Sequence, residues 1–301
     1  MRTVFLGTSE FAAAVLRRLA GSGHRPGLVV TPPDRQKGRG RRSGPPPAAA
    51  EAVELGIDLL QVESVNGAAA LERIRVAGPQ AVAVCAFGQL IREPLLSEWP
   101  LLNVHPSLLP RWRGAAPIER AIMAGDERTG VSLMQVTAGL DSGPVALREE
   151  VPVGPEDDFE HLAAKLSGLG GELLVEALDL LERGELAFEE QDDEQATYAG
   201  KIESAERRLD PARPAIELAR TVRALTPHVG AYLELDKDSR LGVRRARAVD
   251  VNVKQGEMKA EWGALLLGCG RGALRLEVVQ PTGGRPMAAD AYLRGHPVPV
   301  L

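Results

Sequence analysis

The sequence predicts a Rossmann-like, doubly wound parallel α/β domain followed by a small C-terminal β-barrel of the OB-fold type. Three observations carry that prediction. In the first 150 residues, short apolar runs alternate with segments of helical spacing, the rhythm of a parallel sheet with crossover helices. Beyond Gly230, short strand-like runs succeed one another with turn signals between them. A length of 301 residues, at roughly 100–200 residues per domain, asks for two domains.

The elements follow in order. Thr3–Gly7 is an apolar strand, and after a polar turn Phe11, Val15, Leu16 and Leu19 recur at helical spacing up to Gly21. Gly27–Thr31 is a second strand. The stretch from Pro32 to Pro47 has no periodicity and is rich in Gly, Pro and Arg, so it reads as a long loop. Ala48–Leu55, Ala69–Ala77 and Gln89–Ser97 read as helices, and Gln80–Ala86 and Leu101–Val104 as buried strands. Ala115–Ala124 is a helix stopped by Gly125. Val131–Val136 and Val145–Val151 form a mixed or antiparallel edge. Phe159–Leu181 is a long helix, broken or bent near Gly168-Leu169-Gly170-Gly171. Residues 195–214 have the look of a linker and Ala215–Leu225 is helical. Ala231–Leu235, Arg240–Val249, Leu265–Leu267 and Leu274–Gln280 are the strands of the barrel.

An apolar share of 44% supports ordinary folded cores and excludes whole-chain disorder. Every apolar run is interrupted well short of the roughly 20 residues a membrane span needs. Met1–Gly7 passes straight into a strand, without the pattern of a secretory leader. Cys85 and Cys269 lie far apart in apolar settings, so buried thiols in a reducing cytoplasm are expected. The histidines are scattered, no metal-ligand spacing exists, and no metal is expected.

The net charge of −5 conceals an uneven distribution. Residues 1–148 carry 17 Arg/Lys against 13 Asp/Glu (+4), residues 149–200 carry 2 against 16 (−14), and residues 201–301 carry 17 against 12 (+5). Two basic regions therefore flank one acidic segment, most of whose carboxylates read as solvated helix faces.

Four places can hold chemistry. Gly7-Thr8-Ser9-Glu10 follows the first strand but lacks the second glycine that lets a pyrophosphate approach, so it reads as a capped turn and not a dinucleotide site. Asn103 and His105 lie two residues apart on one strand. They therefore point to the same side at the carboxyl end, where open α/β sheets bind ligands. An imidazole there can move a proton or steady an oxyanion, and a carboxamide can donate without titrating. Asp141, in the turn Gly139-Leu140-Asp141-Ser142-Gly143, can pair with that imidazole if the turn folds over the mouth of the sheet. Finally, Arg35, Lys37, Arg39, Arg41 and Arg42 crowd into eight positions with glycines between them. Such a segment suits contact with a phosphate backbone.

These stretches, with Ala86-Phe87-Gly88-Gln89, the block from Asn103 through Ser107-Leu108-Leu109-Pro110 to Ile118, Thr129–Gln135, Thr197-Tyr198-Ala199 and Gly284-Arg285-Pro286-Met287, carry a likeness. Over essentially its full length the chain resembles the bacterial methionyl-tRNA formyltransferases, within the wider folate-dependent formyltransferase family. The resemblance implies transfer of formyl from 10-formyltetrahydrofolate to the α-amine of methionine on initiator tRNA, in the cytoplasm, with no metal. It implies a catalytic trio of Asn103, His105 and Asp141. Folate contacts are expected at Phe87, Gly88, Gln89, Leu90 and Ile91, at Ser107, Leu108, Leu109 and Pro110, and at Val136, Gly139 and Leu140. The basic loop matches the family's element that enters the tRNA acceptor stem. The implied division is a catalytic domain over 1–190, a linker over 191–205 and a tRNA-binding OB-like domain over 206–301. Ser9, Pro106, Ala138, Pro144 and His228 depart from the family's common residues, and the trio does not. Nothing in the sequence demands more than a monomer.

Three other readings stand beside this one. A formyltransferase acting on a nucleotide-linked amino sugar would keep the trio but has little use for the arginine cluster. A 10-formyltetrahydrofolate hydrolase would deliver water in place of the amine. A non-catalytic RNA-binding protein on a decayed scaffold predicts damage at the trio.

Overall fold

The computed structural model describes residues 1–37, 42–235, 239–261 and 263–301, and the side chains of residues 35–37, 42 and 43 lie outside that description. Along the chain come β1 (Thr3–Gly7), α1 (Glu10–Ala20), β2 (Pro26–Thr31), the short pair β3 (Arg35–Lys37) and β4 (Arg42–Gly44), α2 (Pro47–Glu54) and β5 (Asp58–Gln61). Then follow α3 (Ala68–Ala77), β6 (Ala81–Cys85), α4 (Leu95–Glu98), β7 (Leu101–His105), β8 (Arg113–Gly114), α5 (Pro117–Ala124), β9 (Arg128–Gln135) and β10 (Val145–Pro152). The remainder is α6 (Phe159–Arg183), β11 (Tyr198–Ala199), α7 (Ala215–Leu225), β12 (Ala231–Leu235), β13 (Ser239–Val249), β14 (Met258–Glu261), β15 (Ala264–Gly268), β16 (Ala273–Pro281), β17 (Met287–Ala288) and α8 (Ala289–Gly295).

Two compact units result. The first comprises Met1–Gly114, Thr129–Val151 and Ala163–Tyr198, and the second Ala115–Arg128, Pro152–Leu162 and Ala199–Leu301. The units thus interleave, whereas the division expected at 1–190, 191–205 and 206–301 is continuous in sequence. The difference has a packing cause. Met123 of α5 is seated against the apolar core of the second unit, and Arg120 Nη2 donates to Glu206 Oε2 at 3.0 Å.

The first unit is built on a seven-stranded sheet in the order β10-β9-β7-β6-β1-β2-β5. From β7 to β5 all neighbours are parallel, and β9 runs antiparallel to β7. This is the doubly wound sheet with a mixed edge that the sequence predicts. β1 and β6 are buried at every position, as strands covered on both faces must be. The winding reverses between them, with β2 on one side of β1 and β6 on the other. Their paired ends, Gly7 and Cys85, therefore open the crevice where such sheets bind ligands. Ser9 caps α1, its hydroxyl accepting from the Ala12 N–H at 3.3 Å, and Arg17 and Arg18 sit in the last turn, where the helix dipole favours cations.

Three expectations are corrected here. Gln89–Ser97 is not a helix, and only the single turn Leu95–Glu98 is helical. Pro94 keeps the residue before it out of the helical region, and side chains pin the preceding stretch elsewhere. Gln89 Oε1 accepts from Val65 N–H at 2.8 Å, and Asn66 Nδ2 donates to Leu90 O at 2.7 Å. The loop over 32–47 contains the antiparallel pair β3–β4, with Lys37 opposite Arg42. Three residues per strand are too few for alternation to register in the sequence. Finally, α6 runs unbroken for 25 residues through its glycines. A Cβ on Gly170 would stand 2.6 Å from Val104 Cγ1, and one on Gly171 would stand 2.7 Å from Arg18 Cβ. These glycines buy close approach of the helix to β7 and α1, not a break.

The second unit carries a six-stranded antiparallel sheet in the order β12-β13-β16-β15-β14, with β17 also on β16. Leu218, Val222 and Leu225 of α7 pack with Leu233, Val243, Leu265, Leu274 and Leu276 from the strands. The helix expected over Ala215–Leu225 is thus present with the same bounds, and the strands of this sheet pack on it. β14, β17 and α8 are additions that the turn signals did not reveal.

Candidate active site

β7 ends at the open edge of the sheet and carries Asn103 and His105. Asn103 is half-buried, and among the described residues its carboxamide makes no hydrogen bond. His105 is buried. Its Nε2 lies 2.9 Å from Trp112 O. A carbonyl only accepts, so Nε2 carries the proton and Nδ1 is the nitrogen facing Asp141, 3.7 Å from Oδ2. The Asp turn does fold over the mouth of the sheet, at ion-pair distance from the imidazole. Asp141 Oδ2 also accepts from the Gly114 N–H at 2.8 Å, which fixes the carboxylate from its other side.

The ends of the strands are held in costly backbone. Among the described residues the only non-glycine positions with positive φ are Ala86 at 44°, Trp112 at 65° and Asp141 at 45°. Ala86 follows β6, Trp112 receives the His105 hydrogen bond, and Asp141 faces that histidine. Each such conformation costs about 1–2 kcal/mol for an L-residue, and strain of this kind collects at functional sites.

The residues expected to touch folate divide into two groups. Phe87 and Ile91 are buried in the core beneath the sheet edge, and Val136 packs against the same core. Gln89 spends its amide on Val62 and Val65. Ser107 is fully buried: its hydroxyl donates to Arg111 O at 2.6 Å, and its carbonyl accepts from Ser132 Oγ at 2.8 Å. Leu109 packs with Met134 and Val145. These residues are buried or half-buried and shape the walls from behind. Gly88, Leu90, Gly139 and Leu140 are exposed, and Leu108 and Pro110 are half-buried. Leu90 and Leu140 are large apolar side chains more than 60% exposed. An exposed backbone at Ala86 and Gly88, two uncovered leucines and an unpartnered carboxamide suit a flat, partly apolar molecule with a polar reacting end, as a folate is.

Arg39 and Arg41 of the basic loop lie outside the described residues. Arg35, Lys37 and Arg42 lie on β3 and β4, and only their backbone is described.

Several residues that position the site escaped the sequence reading. The segment 111–114 orients both partners, through Trp112 O and Gly114 N. It is held in turn by Thr197, whose hydroxyl accepts from Trp112 N–H at 2.9 Å and whose carbonyl accepts from Arg113 N–H at 2.8 Å. Gln191 donates to the carbonyls of Asp141 and Gly143. One signal was available: Gln191 is a neutral amide inside the acidic run Glu189-Glu190-Gln191-Asp192-Asp193-Glu194. Elsewhere His24, Asp179 and Glu182 come together, a grouping invisible in the sequence spacing. There His24 Nε2 lies 2.8 Å from Asp179 Oδ1 and Nδ1 meets the Met1 amine at 2.9 Å. Both cysteines are free and buried, and burial pushes the Cys85 thiol far up from its ordinary range, so it is no nucleophile.

A family model described as formyl transferase matches residues 1–178, and one described as formyl transferase, C-terminal domain, matches residues 201–297. The chain is 42% identical to a methionyl-tRNA formyltransferase of Ruegeria pomeroyi, across 99% of this chain and 98% of that one. It is 43% identical to a methionyl-tRNA formyltransferase of Methylococcus capsulatus, across 98% and 97%. An N-formyltransferase from Helicobacter canadensis, solved with folinic acid and dTDP-3-aminofucose, shares the fold at a TM-score of 0.68 and 12% identity, covering 91% of this chain and 98% of that one. Length, both domain models and the level of identity converge, and the chain belongs to the methionyl-tRNA formyltransferases of the formyl transferase family.

Proposed function

We propose that the open end of the sheet, with Asn103, His105 and Asp141, is where this chain transfers the formyl group of 10-formyltetrahydrofolate to the α-amine of methionine on initiator tRNA. The observation that carries the reading is the placement of His105. Its Nε2 is committed to Trp112 O, while its Nδ1 is turned toward a carboxylate. A neutral imidazole so held has its lone pair on Nδ1, where it can take the proton that the attacking amine sheds. Asp141 then stabilises the imidazolium that forms, and the Gly114 N–H keeps it in place. Asn103 is left to donate to the formyl oxygen as negative charge gathers there. A donor of this kind contributes about 3–4 kcal/mol. The amine is itself the nucleophile, so no side-chain nucleophile is needed.

The strand ends and the turn belong to a catalytic part built on the first unit, and the second unit, which holds all of 206–301, binds the tRNA. The basic segment from Arg35 to Arg42 contacts the RNA backbone. The chain works as a monomer in the cytoplasm, and among its described residues no helix is long and apolar enough to cross a membrane. Replacing His105→Asn tests the assignment. Formyl transfer should fall by at least a hundredfold, with affinity for initiator tRNA within twofold of the parent. Turnover within tenfold of the parent would remove His105 from the reaction.

A further inference from the structure

The turn that carries Asp141 is held from a segment far along the chain. Gln191 Nε2 donates to Asp141 O at 2.9 Å and to Gly143 O at 2.7 Å, and its Oε1 accepts from Arg113 Nε at 3.0 Å. Arg113 is buried and has only donors to offer, so it fixes which end of the amide it meets. Both amide hydrogens of Gln191 are thereby aimed at the turn. Arg113 Nη2 lies 2.7 Å from Asp193 Oδ1, in ionic contact without hydrogen-bond alignment, so the guanidinium is itself anchored to the same segment.

We propose that Gln191 is a positioning residue for the transfer reaction, clamping the strained Asp141 turn so that its carboxylate faces His105 Nδ1. The inference rests on the reading of Asp141 and His105 as the reacting pair. Asp141 is held at two points. Gln191 fixes its backbone at positive φ, and the Gly114 N–H fixes its carboxylate. The two restraints meet in one short piece of chain, because Arg113 orients Gln191 and Gly114 is the next residue. Thr197, six residues beyond Gln191, holds Trp112 and so the carbonyl that sets the imidazole. One segment after α6 thus registers both members of the pair against each other. Without the clamp the turn can relax toward an ordinary backbone conformation and carry the carboxylate away from the imidazole.

The experiment is a double-mutant cycle on the full chain, read as kcat and KM for initiator methionyl-tRNA with 10-formyltetrahydrofolate. Gln191→Glu keeps the size and the acceptor facing Arg113 but cannot donate to two carbonyls. Gln191→Ala removes the clamp without adding charge and replaces it should the first variant fail to fold. Each is made alone and together with Asp141→Asn. The expected result is a kcat lowered about tenfold or more by the Gln191 change, with KM and the melting temperature nearly unmoved. In the Asp141→Asn background the same change should cost less than twofold, because coupled residues are not additive. A kcat unchanged in the single variant, or an equal fold-loss in both backgrounds, overturns the clamp. If Asp141→Asn alone leaves kcat at the parent value, the reacting pair is wrong and the clamp falls with it.

Discussion

Replacing Asp141→Asn isolates one term of the chemistry. The carboxamide oxygen can still accept from the Gly114 N–H, so the turn keeps its restraint and only the charge is lost. That charge stands 3.7 Å from His105 Nδ1, on a side chain 20% exposed. At this distance Coulomb's law gives about 1.1 kcal/mol in water and about 4.5 kcal/mol at an effective dielectric of about 20. If the imidazolium is fully formed when the barrier is crossed, those limits correspond to losses of roughly sevenfold and two-thousandfold. Partial exposure places the expectation between them, at about a hundredfold in kcat. Single-turnover formylation at saturating tRNA and folate measures it, and a melting curve checks that the fold is intact. A kcat within threefold of the parent would show that the carboxylate does not act on the imidazole, and the electrostatic part of the account would fall.

Two further outcomes follow from other parts of the chain. Neutralising Arg39 and Arg41 together should weaken binding of initiator methionyl-tRNA and lower the slope of log K against log salt by about two, one per lost phosphate contact, while leaving folate affinity alone. An unchanged slope in a salt titration would separate the basic loop from the RNA. Gly170→Ala places a methyl 2.6 Å from Val104 Cγ1, between the two site residues of β7. Overpacking costs about 1–3 kcal/mol against a helix gain of about 1 kcal/mol, so denaturant unfolding should report a net loss. Equal or greater stability would show that α6 does not seat on β7 through that glycine.

What could be read in the sequence was set by how local its cause is. β1, β6 and β7 are continuous apolar runs ending in small or polar residues, because strands covered on both faces must be, and their bounds were legible to within a residue or two. The pair Asn103 and His105 was legible for the same reason: strand period and chain position place them at the open edge. Asp141 could be nominated as a turn carboxylate, but only tertiary folding brings it to the histidine. The run Gln89–Ser97 misled because its apolar spacing is helical while Pro94 and the side chains of Gln89 and Asn66 settle it otherwise. The glycines of α6 misled in the opposite sense. Their cost as helix residues is visible in the sequence, and the neighbours that repay it, Val104 and Arg18, are not. β5, with Asp58 and Gln61 at its ends and no residue fully buried, carries too little pattern to stand out. Gln191 is the clearest case. It acts 50 residues from Asp141, and an acidic run hides it among solvated carboxylates.

The charge distribution that first suggested an RNA partner and the geometry at the sheet edge meet in one assay. Formylation by the purified chain, with 10-formyltetrahydrofolate as donor, is compared on initiator methionyl-tRNA, elongator methionyl-tRNA and free methionine. The account predicts rapid transfer to the α-amine of the initiator alone, and little or none to the other two acceptors. Equal transfer to free methionine, or none to the initiator, would contradict it.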